Sequence, residues 1–485
     1  MNQVVVEETV QSASSRPICV DLDGTLVKSD TLIDSLLLLV RTYPLRSLQA
    51  PLWITGGKAA LKAKVVSYVQ LDVEHLPYNS ELLEYLRAEH RQGRKIYLTT
   101  GADSSLAHRI AEHLGIFEGV LASDGTVNLI GHNKLDSLKQ LFAADGFDYI
   151  GNAPPDVPLF EHAGYAMVAN PSFGLRALIK SKKIPVRHHF RDQGKPLKVF
   201  LKAIRLHQWA KNILIFAPLV LAHSFQLPLI VRAIVAFLCF SLCASATYII
   251  NDLLDIEADR RHHKKRLRPF ASGNLSVQGG IAIIVVFMTL SLAGAAYLSR
   301  DFLGWLLLYL VTTLSYSLYL KRVVLIDVIL LSGLYTLRML AGGAATYTDF
   351  SPWLAAFSIF LFLSLAMVKR FSELENIKAK GNALSNGRGY LLADIEQLRA
   401  FGTSSAYASV VVFAFYIYGA GSAGLYQHPS RLWLMTPLLI LWLSRVWLLA
   451  SRGEMDEDPV IFAVTDRMSL LIGAFVVLIA VLAAL

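Results

Sequence analysis

Beyond residue 205 the chain consists of apolar runs of membrane-spanning length separated by short polar loops, and this spacing limits what it can fold into. A bilayer core about 30 Å thick accepts an α-helix of about 20 apolar residues. Lipid offers nothing to an unpaired peptide group, so an open sheet is excluded. Runs near 208–223, 230–250, 279–298, 302–320, 324–344, 353–369, 404–424, 431–449 and 467–485 predict an all-α polytopic membrane domain of nine transmembrane helices. The first 190 or so residues lack such runs and read as a soluble α/β head. With 485 residues, 54% apolar and 17% charged, the chain is too long for one domain and too apolar for a soluble one.

Basic residues set the orientation. Loops at 251–278, about 321, 370–403 and 450–466 carry the Lys and Arg, whereas "HSFQLP", "SRDF", "TYTDFS" and "YQHPSR" carry little. The basic loops and the head are therefore expected on the cytoplasmic side of the inner membrane. Boundaries are expected at 1–175 for the head, 176–204 for a basic linker, and 205–485 for the membrane domain. The segment "LIDSLLLLV" at 32–40 is too short to span and is expected to pack as a helix or touch the membrane. No basic stretch precedes an apolar core at the start, so no signal peptide is expected. Cys19, Cys239 and Cys243 lack metal-ligand spacing and read as small buried residues. The net charge of +9 suits anionic lipid or phosphorylated substrates. No basic face interleaved with aromatics points to nucleic acid.

In the head, "PICVDLDGTLVKSD" is an apolar strand ending in Asp21-Leu22-Asp23-Gly24-Thr25. Residues two apart at a strand end point the same way. Asp21 can then attack phosphorus while Asp23 handles the leaving-group proton. Two such carboxylates need a cation, and Mg²⁺ suits phosphate oxygens. The D-x-D-G-T pattern resembles the first motif of the haloacid dehalogenase superfamily, which implies a Rossmann-like phosphatase fold with a small helical cap. The resemblance implies that Thr99 of "KIYLTTGA" (Thr100 competing) holds the phosphoryl group. It likewise implies that Lys134 of "GHNKLDSLKQL" neutralises it and that Asp156 of "FDYIGNAPPDVPLF" ligates metal with Asp21 and Asp23. Asn152 stands where the family commonly has Asp; its amide oxygen can still ligate Mg²⁺.

The second constellation is "NDLLDIEADRRHHKKRLRPFASG" from residue 251, at the end of an apolar run. At about 100° per residue, Asn251, Asp252, Asp255 and Asp259 share one helix face. Glu257 points away. Like charges at this spacing repel, so the face calls for a cation. Mg²⁺ bridging a diphosphate, with Arg260, Arg261, Lys264, Lys265, Arg266 and Arg268 beside it, meets that need.

N-D-x-x-D-x-x-x-D also resembles the first signature of the UbiA superfamily of intramembrane prenyltransferases. "LHQWAKNILIFAPLVLA", "LSYSLYLKRVVLIDVILLSGLYTLRMLAGGAA" and "LFLSLAMVKRFSELENIKAKG" look most like the decaprenyl-phosphate 5-phosphoribosyltransferase branch. That resemblance implies transfer of 5-phosphoribose from phosphoribosyl pyrophosphate to a polyprenyl phosphate, for a cell-envelope polysaccharide precursor. Where relatives using a prenyl diphosphate carry a second D-x-x-x-D, this chain has Lys369-Arg370-Phe371-Ser372-Glu373. The exchange favours more phosphate and less metal. Glu373 reads either as a metal-side carboxylate or as a partner of Lys369 or Arg370. Arg205, Gln208, Lys211, Asn212, Tyr316, Lys321 and Arg338 are expected to bind substrate. Arg338 lies inside an apolar span, where a lone charge is costly, and Asp327 is its candidate partner. "GRGY" at 387–390 is a candidate donor-closing loop. The rival readings are transfer of an isoprenoid from its diphosphate to an aromatic or other small acceptor, and a transporter with a regulatory head.

Overall fold

The computed structural model describes residues 16–124, 127–143, 145–379, 388–419, 425–455 and 459–485. It divides into two compact units, the first comprising Met1–Ile204 with Ile249–Ile283, the second Arg205–Tyr248 with Ile284–Leu485.

The first unit is built on six strands: β1 (Ile18–Val20), β2 (Ile96–Asp103), β3 (Gly119–Ser123), β4 (Asp148–Gly151), β5 (Ala166–Ala169) and β6 (Val186–Phe190). They form one parallel sheet in the order β3-β2-β1-β4-β5-β6. Strand β1 is apolar throughout because both of its faces are covered. Ile18 and Val20 join one core with Leu98 and Ile150, and Cys19 joins the other with Tyr149 and Val168. The strand order reverses between β1 and β4, and a parallel sheet opens a crevice at the carboxyl ends of its strands at such a point. Between β1 and β2 a helical cap is inserted, its helices Thr31–Thr42 and Gly57–Tyr68 joined by Leu39, Leu61, Val65 and Val69. The stretch expected as a linker holds edge strand β6 and the helices Phe173–Lys182 and Pro196–Ala203.

Among the described residues, eight helices are long and apolar enough to cross a membrane. They are Leu227–Leu254, Val277–Leu298, Arg300–Leu318, Ile326–Thr346, Pro352–Ala379, Leu392–Tyr418, Pro429–Ser451 and Arg467–Ala484. The ninth expected span, 208–223, is not one of them. It is a 3₁₀ stretch, Leu206–Phe216, followed by the short helix Ala217–Leu221. Pro218 lacks an N–H and sits in the first turn of that helix, so the ladder restarts there. In the second unit this broken segment lies tight against the helix Ile326–Thr346. A Cβ at Gly342 would stand 2.1 Å from the Ile215 carbonyl oxygen, a contact only glycine permits.

Candidate active sites

In the head, Asp21 and Asp23 follow β1 at its carboxyl end, facing the crevice. Lys134, in the helix His132–Leu141, sets Nζ 2.8 Å from Asp21 Oδ1 and 3.0 Å from the Tyr149 hydroxyl. Tyr149 donates in turn to Asp156 Oδ1 at 2.9 Å. Asp23 Oδ1 accepts the Thr31 N–H at 2.8 Å. Burial pushes Asp21 up to about 6 against the pull of Lys134. It pushes Asp23 up to about 7, with Asp30 adding to the rise. Burial alone would lower the Lys134 ammonium, but Asp21 and Asp156 hold it above its ordinary value.

The other sequence-predicted head residues fall out unevenly. Asp156 spends Oδ2 on the N–H groups of Asn152 and Ala153, both at 3.0 Å, so it braces the loop that carries Asn152. The Thr99 hydroxyl donates back to the Val20 carbonyl at 3.3 Å, and the Thr100 hydroxyl accepts from the Ala102 N–H at 3.0 Å. Asn152 Oδ1 is buried without a hydrogen-bond partner. A buried acceptor left unpaired beside two raised carboxylates is the donor set a hard divalent cation takes, so Asp21, Asp23 and Asn152 fit Mg²⁺. Gly24 permits this closeness. Its φ is +74°, and a Cβ there would stand 2.0 Å from Asn152 Nδ2.

These groups floor a cavity of about 600 Å³. The cap contributes Leu32, Ile33, Ile54, Lys58 and Lys62 to its wall, and the segment 256–278 contributes Ile256, Phe270, Leu275, Val277 and Gln278. Lys62 Nζ bonds the Gly101 carbonyl and lies 3.1 Å from Asn128 Oδ1. Burial draws its ammonium below the ordinary value. Sequence reasoning passed over Lys58, Lys62 and Tyr149. The two lysines did leave a signal, four residues apart on one helix face.

The acidic segment, also part of the first unit, is arranged differently from the single cradle expected. The span-length helix ends at Leu254, and a short helix, Ile256–Arg261, follows. Asp252 Oδ1 and Asp259 Oδ2 converge on one nitrogen of Arg268, at 3.0 and 2.7 Å. Burial raises Asp259, with Arg268 opposing the rise. Asp255 turns instead to Arg41, at 2.9 Å. The two carboxylate oxygens meet where the Arg268 guanidinium stands, so they could hold a divalent cation only with Arg268 turned away; Asn251 is half-buried one residue before Asp252. Arg260 departs from its expected phosphate role. It is buried, with Nη1 2.8 Å from Asp34 Oδ2, Nη2 3.0 Å from Ser29 Oγ, and Nε 3.2 Å from the Ala271 carbonyl. Lys265 and Arg266 are exposed.

The second unit holds two buried arginine centres. Arg338 donates through Nε to Asn212 Oδ1 at 2.8 Å and lies 5.0 to 5.6 Å from the rings of Phe240, Tyr309 and Tyr335. Asp327, its expected partner, belongs to Arg370 instead. Arg370 Nε is 2.6 Å from Asp327 Oδ2, Nη1 is 2.6 Å from Glu373 Oε2, and Nη2 is 3.4 Å from the Tyr316 hydroxyl. Glu373 thus pairs with Arg370 through Oε2. Lys211 Nζ sits 5.7 Å from the Tyr335 ring and Arg205 lies 4.9 Å from that of Tyr248. Gln208, Lys321 and Lys369 are half-buried. Of "GRGY", Gly387 lies outside the described residues. Tyr390 is buried, and its hydroxyl bonds Asp327.

Comparison with known proteins finds one match for each half of the chain, and that of the second half crosses both compact units. Residues 213–483 match the UbiA prenyltransferase family, and residues 18–161 match the haloacid dehalogenase-like hydrolases. The uncharacterized protein y4nM of Sinorhizobium fredii is 37% identical over 463 residues, 95% of this chain and 89% of that one. Nodulation protein NoeC of Azorhizobium caulinodans is 33% identical over 57% of this chain and 90% of its own length. Decaprenyl-phosphate phosphoribosyltransferase of Mycobacterium tuberculosis is 35% identical over 38% of this chain and 63% of its own length. Asp21, Asp23 and Lys134 lie within the hydrolase match, whereas the span-length helices lie within the prenyltransferase match together with the acidic segment, which packs in the first unit. The chain belongs to the UbiA prenyltransferase family and carries a haloacid dehalogenase-like domain at its N-terminus.

Proposed function

We propose that the membrane domain moves 5-phosphoribose from phosphoribosyl pyrophosphate to a polyprenyl phosphate, and that the head removes the 5-phosphate of the lipid product. The product would feed a cell-envelope polysaccharide, with both reactions on the cytoplasmic side of the inner membrane. The observation that carries the donor assignment is buried Arg370, ion-paired to Glu373 in the stretch where diphosphate-using relatives place a second aspartate motif. The partial similarity to decaprenyl-phosphate phosphoribosyltransferase supports the same reading.

In the transfer, the bond from ribose C1 to the diphosphate oxygen breaks, and a lipid phosphate oxygen forms the new bond to C1. Asp252 and Asp259 would hold Mg²⁺, with Asn251 and Asp255 beside them, and the cation supplies charge neutralisation for the departing diphosphate. Arg268, which pairs with both carboxylates without the cation, would turn with exposed Lys265 and Arg266 to the phosphate oxygens. In the head, Asp21 attacks phosphorus and the ester P–O bond breaks. Asp23, whose carboxyl burial raises in the metal-free head, passes a proton to the leaving oxygen. It then takes a proton from the water that hydrolyses the aspartyl phosphate, releasing inorganic phosphate. Lys134 favours the ionised form of the nucleophile and balances the attacked group.

Membranes given labelled phosphoribosyl pyrophosphate and polyprenyl phosphate test both steps by mass spectrometry of the lipids. Asp252→Asn is expected to abolish label in lipid. Asp21→Asn is expected to accumulate the phosphorylated lipid; accumulation no greater than in the unaltered chain sinks the role given to the head.

A further inference from the structure

The cap carries an apolar strip that its own core does not use. Leu45, Leu48, Leu52 and Ile54 are 81, 74, 69 and 55% exposed, spaced three, four and two residues apart on the short helical turns between Tyr43 and Gly56. The strip has a firm underside. Trp53 stacks on Tyr68 at 5.5 Å, and the Arg46 guanidinium sits 4.9 Å from the same Tyr68 ring. Tyr68 and Trp53 pack in turn on Leu39, Leu61, Val65 and Val69. The leucines thus point outward from a braced turn, which argues against a loop that has merely failed to fold.

Charge identifies what covers the strip. From residue 35 to residue 71 the chain has five basic residues, Arg41, Arg46, Lys58, Lys62 and Lys64, and no acid. Arg41 pairs with Asp255 and Lys62 is buried, but Arg46, Lys58 and Lys64 are exposed, and exposed leucines among such cations suit the boundary of an anionic bilayer. A docked protein face would leave Arg46, Lys58 and Lys64 unmatched unless it were acidic. The same chain carries eight helices of spanning length, so a bilayer is always at hand. The strip also leads somewhere: Ile54, its last residue, and Lys58, one turn on, both line the cavity floored by Asp21 and Asp23.

We propose that Leu45, Leu48, Leu52 and Ile54 bed in the membrane surface and bring a phosphomonoester carried on a lipid to the head's cavity. Lys58 and Lys62 attract its phosphate, and the apolar wall of Leu32, Ile33 and Leu61 accepts the portion nearest the lipid. The proposal rests on the reading of the head as the phosphatase of the lipid product, and its test separates the two.

The full chain is placed in phosphatidylcholine–phosphatidylglycerol nanodiscs with a polarity-sensitive fluorophore on Leu48→Cys; the three native cysteines are buried. Blue-shifted emission quenched by spin-labelled lipid is expected. Emission as in water overturns the proposal, and so does a shift that depends on protein concentration without lipid quenching, since that marks a second copy. In parallel, Leu48→Asp with Leu52→Asp is assayed on a polyprenyl phosphoribose and on soluble ribose 5-phosphate. Hydrolysis of the lipid is expected to fall at least about tenfold while that of the soluble ester stays unchanged. Equal loss on both, or on neither, overturns the proposal. If the unaltered chain hydrolyses no phosphoribosyl lipid, the reading of the head fails, and the fluorophore still decides whether the strip meets the membrane.

Discussion

Arg260 and Asp34 form a buried ion pair at 2.8 Å, and through it the segment that follows a span-length helix is locked to the cap of the head. The two side chains are almost wholly covered, and Ser29 Oγ is shared between them, donating to Asp34 at 2.6 Å and accepting from Arg260 at 3.0 Å. Removing one partner strands the other charge without water. Arg260→Ala is therefore expected to destabilise the first unit by about 3–5 kcal/mol. Arg260→Met combined with Asp34→Leu should cost less than either change alone. A denaturation cycle on the four full-length chains, followed by the head's phosphatase activity, checks both statements.

The raised carboxylates give a pH signature. Asp21 and Asp23 titrate near 6 and 7 in the folded head, above the ordinary value of about 3.9 for an unfolded aspartate. The folded state thus holds protons that the unfolded state has released. The metal-free protein should lose stability as pH rises from about 4 through 7. Mg²⁺ binds the ionised pair, so the melting temperature should rise more on adding it at pH 8 than at pH 5. Melting curves in chelator and in Mg²⁺ at the two pH values decide the point.

Asn152→Asp supplies a carboxylate where an amide oxygen now stands unpaired. Mg²⁺ affinity of the head is expected to increase about tenfold. Isothermal titration against the unaltered chain measures it; an unchanged affinity would remove Asn152 from the ligand set.

Arg370→Lys keeps the charge but loses the fork that reaches Asp327, Glu373 and Tyr316 together. Three contacts in fixed directions suit a guanidinium and not an ammonium. Transfer of phosphoribose should fall about tenfold to a hundredfold, with hydrolysis of ribose 5-phosphate by the head unchanged.

Much of this was legible in the chain because it is local. An apolar strand ending in "DLDGT" fixes two carboxylates at a strand end, and the resemblance to the haloacid dehalogenases named Lys134 before its 2.8 Å contact was seen. Eight spans followed from run length alone. The failures share another cause. At 208–223 the run is long enough, yet Pro218 and the polar side chains at its start break it into 3₁₀ and α pieces. The acidic face was read as one cradle, but Asp255 turned to Arg41, and no helical periodicity encodes a partner in a distant element. Arg260 likewise meets Ser29 across 231 residues of sequence. Asp327 and Arg338 share one helix but stand about 16 Å apart along it, and the partner that Asp327 takes, Arg370, lies on another helix.

The cavity floored by Asp21 and Asp23 takes part of its wall from Ile256, Phe270, Leu275 and Val277, so the chain cannot complete it in the order in which it is made. When residue 204 leaves the ribosome, the sheet, the cap and the nucleophile all exist, but that wall does not. The helix Leu227–Leu254, long and apolar enough to enter lipid, must be synthesised before the missing residues arrive. The finished cavity therefore comes only after a membrane segment has been made. A head that has not been followed by its membrane domain remains an open site, and truncation at the apparent boundary yields a different object from the one the full chain builds.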